Sequence, residues 1–104
     1  MISKEILSEV LNEEIQEIDT SWYQDNYIRY FSKGKDYLIN KYELAFKCKE
    51  WALDKGFWIS STAEKGTVIV EHKANGKAAI FDGNTELANI FNAVKWVYKK
   101  KETI

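Results

Sequence analysis

The sequence has few of the residues from which reactive or covalently cross-linked sites are built. It contains one cysteine, Cys48, and one histidine, His72, among 104 residues. A single cysteine cannot form an intrachain disulfide, so we expect a fold that does not depend on an oxidising compartment. A structural zinc site needs about four Cys or His ligands, and the five glycines are too isolated for a phosphate-binding loop. We therefore predict no metal and no cofactor.

The chain also lacks a large charge excess and a long apolar run. Fifteen basic and 16 acidic residues give a net charge of −1, which provides no general attraction to nucleic acid or to an anionic membrane. No run approaches the ~18 apolar residues of a membrane span. The first residues do not follow the basic-then-apolar pattern of a secretory signal. We therefore expect a cytoplasmic protein that does not act at a membrane.

Aromatic residues, in contrast, are abundant. Four Trp, six Tyr and five Phe contribute to a hydrophobic fraction of 45%, which is enough for the core of one domain. So many aromatic side chains either fill a small core or provide a contact surface.

Residues 1–34 predict an N-terminal helical pair. Apolar residues recur at three- and four-residue spacing from Ile2 to Ile18, which favours an amphipathic helix. Ser21 and Gln24 then fit a capping box for a second helix, and Gly34 suits its C-terminal end. This second helix would carry a group of rings: Trp22, Tyr23, Tyr27, Tyr30 and Phe31.

Those five rings are the candidate partner-binding residues. Tyr and Trp combine apolar area with a polar tip and are enriched where protein partners dock. The alternative is that the rings cover a small core.

Residues 35–104 predict a core with the order helix, three strands, helix. A helix is expected from Asp36 to Lys55, with Tyr42 and Phe46 on its main apolar face, which we expect to be buried, and with Cys48 as a buried structural thiol. The first strand follows at Phe57. Two further strands lie on either side of Asn75-Gly76, a dipeptide that closes two-residue hairpins. Asn84 is a suitable N-cap for the last helix.

A two-residue turn at Asn75-Gly76 also predicts the register of the hairpin. Val70 would lie opposite Phe81, and His72 opposite Ala79. The inner face would hold Val68, Val70, His72, Ala79 and Phe81. The outer face would be only half polar, so we expect a helix or a second subunit to cover part of it.

The fold class is therefore predicted to be α+β, with a three-stranded antiparallel sheet packed by helices. From Asp36 onward the element order resembles that of the double-stranded-RNA-binding domain, although Asn84-Thr-Glu-Leu-Ala88 stands where that family has a basic cluster. The segment from Asn84 to Trp96 after a strand more closely resembles small phage-encoded proteins of the ABA-sandwich type. This resemblance implies a phage or mobile-element accessory protein that binds and blocks a host factor.

Three functions follow from these patterns. The first is a non-enzymatic interaction protein that binds a protein partner and itself forms a homodimer. The second is nucleic-acid binding through the basic end of the last helix, Lys95, Lys99, Lys100 and Lys101. The third is a small nuclease or hydrolase centred on His72. The alternative for His72 is a structural role, as a half-exposed imidazole. No catalytic residues are predicted under the first function.

Overall fold

The computed structural model of the chain describes residues 2–19, 26–62 and 66–100. Within these ranges the fold is α+β, with helices and antiparallel strands in two three-stranded sheets. The elements in chain order are α1 (Lys4–Leu11), β1 (Glu17–Ile18), β2 (Tyr27–Ser32), β3 (Lys35–Asn40), α2 (Lys41–Asp54), β4 (Phe57–Ser61), β5 (Val68–His72), β6 (Ala78–Phe81) and α3 (Glu86–Lys100).

The first predicted helix is shorter than its apolar spacing indicated. The helix α1 ends at Leu11, because Asn12 adopts a left-handed conformation (φ 54°) and its N–H donates to the carbonyls of Ser8 and Glu9. Asn tolerates this conformation better than most residues. The chain then extends, and Ile18 pairs with Tyr30 in the first sheet. The expected continuation of this helix to Ile18 was therefore wrong.

The prediction of a second helix was also wrong, since β2 and β3 form a hairpin from Tyr27 to Asn40. Tyr30 pairs with Tyr37, and Ser32 with Lys35, across a two-residue turn. Both turn residues have positive φ, 53° at Lys33 and 74° at Gly34, as a tight hairpin turn requires. Gly34 therefore closes a hairpin and does not end a helix. The N-terminal region is one helix plus a sheet, and the predicted helical pair is absent from its described residues.

The helix α2 begins at Lys41, five residues later than predicted. Residues 35–40 belong to β3, and Asn40 is the N-cap: its Oδ1 accepts hydrogen bonds from the N–H groups of Tyr42 (2.8 Å) and Glu43 (3.4 Å). The predicted end at Lys55 is confirmed to within one residue.

The second half of the chain has the order helix, three strands, helix from α2 to α3, but the predicted single sheet was wrong, because β1, β2 and β3 form a separate one. The strands lie in the order β4-β5-β6, and α2 and α3 pack on the sheet. The inner face of the sheet carries Phe57, Val68 and Val70, all fully buried. Trp58, which points to the other face, is 52% exposed.

The predicted register of the β5–β6 hairpin was wrong by two residues, although its faces were right. Val70 lies opposite Ala79, and Val68 opposite Phe81. The loop is longer because side chains stabilise it: Nδ1 of His72 accepts the N–H groups of Ala74 (3.3 Å) and Asn75 (3.2 Å). A shift of two residues keeps each side chain on its face.

Candidate binding surface

A groove lies between the N-terminal turns of α2 and α3. It has a volume of about 570 Å³, and a smaller space of about 150 Å³ along α2 shares Tyr42, Glu86 and Leu87 with its lining. We call this feature the α2–α3 groove. Its lining consists of Lys41, Tyr42, Ala45, Phe46 and Lys49 from α2, and of Asn84, Thr85, Glu86, Leu87, Ala88, Ile90, Phe91 and Asn92 from the start of α3.

Two aromatic rings of α2 stand at this groove and remain open to solvent. Tyr42 is 61% exposed and Phe46 is 63% exposed. Residues four apart lie side by side on a helix, so the two rings form one continuous surface. The opposite face of α2 is buried through Leu44, Cys48 and Ala52, which fixes the rotation of the helix and leaves these rings outside. Adjacent exposed rings of this size are typical of a contact surface.

The floor of the groove is apolar and comes from α3. Ile90 and Phe91 are buried, and Leu87 packs against the core. The predicted N-cap, Asn84, was wrong by one residue: α3 begins at Glu86, and Thr85 caps it by accepting the N–H of Ala88 at 3.2 Å. The floor therefore belongs to a helix whose start is fixed.

The β4–β5 loop also holds the start of α3. The Asn89 side chain donates to the carbonyl of Gly66 at 3.0 Å and to that of Asn84 at 3.3 Å. A Cβ atom at Gly66 would lie 3.0 Å from the backbone nitrogen of Glu86, so only glycine permits this approach. The groove is thus preorganised by packing that lies outside it.

The chemistry of the lining is that of a binding surface. An apolar floor is bordered by polar side chains that include Lys41, Glu86 and Asn92. Lys49 donates from Nζ to Oγ of Ser61 at 3.3 Å. An apolar centre with a polar rim is the usual anatomy of a protein interface. Sequence reasoning missed this site because it placed Tyr42 and Phe46 on the buried face of the central helix.

Of the predicted partner-binding rings, the three that the structure describes, Tyr27, Tyr30 and Phe31, lie on β2 of the first sheet and do not form one surface. Tyr27, 41% exposed, and half-buried Phe31 lie on one face, whereas Tyr30 is buried on the other and stacks on Tyr37 with ring centroids 5.5 Å apart. Burial, and then the negative charge of Glu13, raises the pKa of the Tyr30 phenol. Trp22 and Tyr23 lie outside the described residues, and partner binding by these rings stays a prediction.

His72 has a structural environment in the second sheet. It is 8% exposed, and its ring meets Phe57 edge-on with centroids 4.8 Å apart. Its Nδ1 is occupied by the two loop N–H groups already described, which makes the side chain an organiser of the hairpin. A general base needs a ring nitrogen that can accept a substrate proton, so this geometry favours the structural interpretation.

Cys48 is fully buried, as predicted, and burial raises the pKa of its thiol to about 12. The thiol is therefore protonated at neutral pH, where a nucleophilic cysteine would need to be a thiolate. Within residues 2–19, 26–62 and 66–100, no three Asp, Glu, His or Cys side chains are grouped as a metal site would require.

The predicted nucleic-acid-binding lysines lie near the end of α3. Lys95 is partly buried, and Lys99 and Lys100 are exposed. Nζ of Lys100 lies 5.9 Å from the centre of the Trp96 ring, and Lys101 is outside the described residues. Basic residues in the last turn stabilise the helix dipole, so their position has a structural reason, and nucleic-acid binding stays a prediction.

Among the described helices, none has the length and apolar character that crossing a bilayer would demand. Comparisons with protein-family models, with curated proteins and with solved structures found no match for this chain. Its function is therefore inferred from its own geometry.

Proposed function

We propose that this chain is a non-enzymatic interaction protein and that the α2–α3 groove binds its protein partner. The observation that carries the proposal is the pair of exposed rings, Tyr42 and Phe46, beside an apolar floor. Aromatic side chains at the centre of an interface contribute a large share of binding energy when a partner excludes water from them. In the free protein this area is hydrated, so covering it is favourable.

The partner that fits the groove inserts apolar side chains between α2 and α3. Its volume of about 570 Å³ lies within the range of roughly 300–1,000 Å³ typical of ligand pockets, which is room for more than one large side chain. Polar groups on the partner would meet the rim at Lys41 and Glu86. The resemblance to small phage-encoded proteins supports a host protein as partner, whose own surface would be blocked by the complex.

Affinity capture with matched variants tests the proposal. The test variant is Tyr42→Ser with Phe46→Ser. Leu53→Ser is the control, since Leu53 is exposed on the same helix and does not line the groove. We expect a partner retained by the wild type and by the control to be lost with the double variant. With that partner purified, calorimetry should show affinity weakened by about tenfold or more.

A photo-crosslinking amino acid at position 46 gives a second measurement, with position 53 as its reference. We expect the partner to be joined to position 46 and not to position 53. Equal binding by the double variant and the wild type would exclude the groove as the binding surface. In that case Tyr27 and Phe31, which share one face of the first sheet, would be the next rings to test.

A further inference from the structure

The strand β6 is an edge strand with exposed main-chain groups. Among the described elements it pairs only with β5. The N–H of His72 donates to the carbonyl of Lys77 at 2.7 Å, and bonded and non-bonded pairs alternate along an antiparallel ladder. Ala79 and Phe81 therefore direct their N–H and C=O groups towards β5. Ala78 and Ile80 direct theirs away from the sheet.

This edge is only four residues long, but it lacks the other devices that usually prevent strand pairing. Edges are commonly protected by charged side chains, proline or a bulge. Between Lys77 and Asp82 the strand reads Ala-Ala-Ile-Phe, and its register with β5 is continuous. Ile80 is 65% exposed on the outer face, beside half-buried Ile69 of β5. The edge is thus both open and apolar.

We propose that β6 pairs antiparallel with β6 of a second copy of this chain, forming a six-stranded sheet. The two-fold axis is perpendicular to the sheet, because only this operation makes two copies of one strand antiparallel with the same face outward. If only residues of β6 form hydrogen bonds between the two copies, Ala79 lies on the axis and Ala78 lies opposite the second copy's Ile80. All outward N–H and C=O groups of Ala78 and Ile80 are then paired in both copies.

The charges that flank β6 favour a second copy as the occupant. Lys77 precedes the strand and Asp82 follows it. In the register above, each Lys77 lies opposite the second copy's Phe81, one residue from its Asp82, so each end of the antiparallel pair carries one basic and one acidic residue. A parallel pair would instead place Lys77 beside Lys77 and Asp82 beside Asp82. The outer faces also join, so that Ile80 lies between Ile69 of its own sheet and the second copy's Ala78.

This pairing is independent of the proposed partner site. Its contacts are made by the edge of β6, and no residue of that strand lines the α2–α3 groove. Each dimer would therefore present two grooves.

Sedimentation velocity over a range of concentrations tests the pairing. We expect the wild type to show a monomer–dimer equilibrium. Ile80→Glu should make the protein monomeric, because it places a charge from each copy near the axis. Trp58→Glu is the control: Trp58 lies on the same outer face but on β4, at the opposite edge. It should leave the dimer intact, with circular dichroism confirming that both variants are folded.

Exchange of the flanking charges tests the orientation. Lys77→Glu and Asp82→Lys should each weaken dimerisation by about threefold to tenfold, whereas the two changes together should restore it. A wild type that is monomeric at all concentrations would overturn the proposal. Equal dissociation of the dimer by Trp58→Glu and Ile80→Glu would also overturn it, because it would indicate that the outer faces stack. Additive losses of affinity in the double charge variant would overturn the antiparallel orientation.

Discussion

The two sheets have the same number of strands and the same antiparallel order, yet different interactions stabilise them. The second sheet, β4-β5-β6, lies under α2 and α3, and Phe57, Val68 and Val70 on its inner face are fully buried. The first sheet, β1-β2-β3, buries Ile28 and Ile39, but the contacts between described helices and strands are concentrated on the second sheet. Hydrophobic burial should therefore contribute more stability in the second sheet.

The outer faces of the two sheets differ as well. On the first sheet, Arg29 binds Asp36 through Nη2 (3.0 Å) and Asp19 through Nη1 (3.3 Å), and it covers Phe31 with its guanidinium carbon 5.2 Å from the ring centre. These groups satisfy one another. On the second sheet, Trp58 and Ile80 are left exposed. The comparison indicates that charged groups cover Phe31 on the first outer face, where Tyr27 and Leu38 are 41% and 50% exposed, whereas among the described residues no ion pair covers Ile80 on the second.

The largest expected effect comes from removing core volume beneath the second sheet. Phe57→Ala deletes a fully buried ring between His72 and Trp96 and should lower the free energy of unfolding by about 3–5 kcal/mol. Ile39→Val in the first sheet should cost only about 0.5–1.5 kcal/mol. Chemical denaturation measures both. The matched control is Trp58→Ala, whose side chain is largely exposed. A loss at position 58 equal to that at position 57 would contradict the assignment of the two faces.

The next largest effect is a pH dependence that arises from Cys48 in α2. Burial raises the pKa of this thiol from 9.0 to about 12, so between these values the unfolded state releases a proton that the folded state keeps. The stabilising contribution is thus fully present below pH 9 and is lost as the pH rises towards 12. The slope in that window should be about 1.4 kcal/mol per pH unit.

Cys48→Ala isolates this contribution from those of the lysines and tyrosines. We expect the difference in unfolding free energy between wild type and variant to be constant from pH 7 to pH 8.5 and to fall above pH 9. A difference that stays constant to pH 11 would show that the thiol is as hydrated in the folded state as in the unfolded one.

The two regions also differed in how far their structure could be predicted from the sequence. In the second half, several local signals agreed: Asn84-Thr85 before an apolar helical stripe, and apolar strand segments on either side of Asn75-Gly76. The error in register did not change which side chains face the core, because the longer loop at His72 shifts the strand pairing by two residues, an even number. In the first half, Tyr27, Ile28, Tyr30 and Phe31 fit both a helical spacing and a pleated strand. Only contacts distant in the sequence, such as Ile18 with Tyr30, decide between them.

The candidate site depended on the same kind of non-local information. The apolar residues of α2 are distributed around most of the helix, so periodicity alone does not identify which of them face solvent. That is decided by where β3 ends and by which side of α2 meets the second sheet. Asn40 directly before Lys41 was a usable signal for the start of this helix, because Asn is a strong N-cap. With the helix expected from Asp36, Tyr42 and Phe46 were assigned to the core.

The smallest effect is expected from the ion pairs on the first sheet. Arg29→Met keeps much of the apolar stem over Phe31 and removes the charge, so it should cost less than about 1 kcal/mol, because Arg29 and Asp36 are both accessible to water. The loss should shrink further at about 1 M salt, where the Debye length falls to roughly 3 Å. Lys35→Met, at the turn end of the same hairpin, is the control. A loss of several kcal/mol that persists at high salt would show instead that the first sheet depends on its charges as strongly as the second depends on its core.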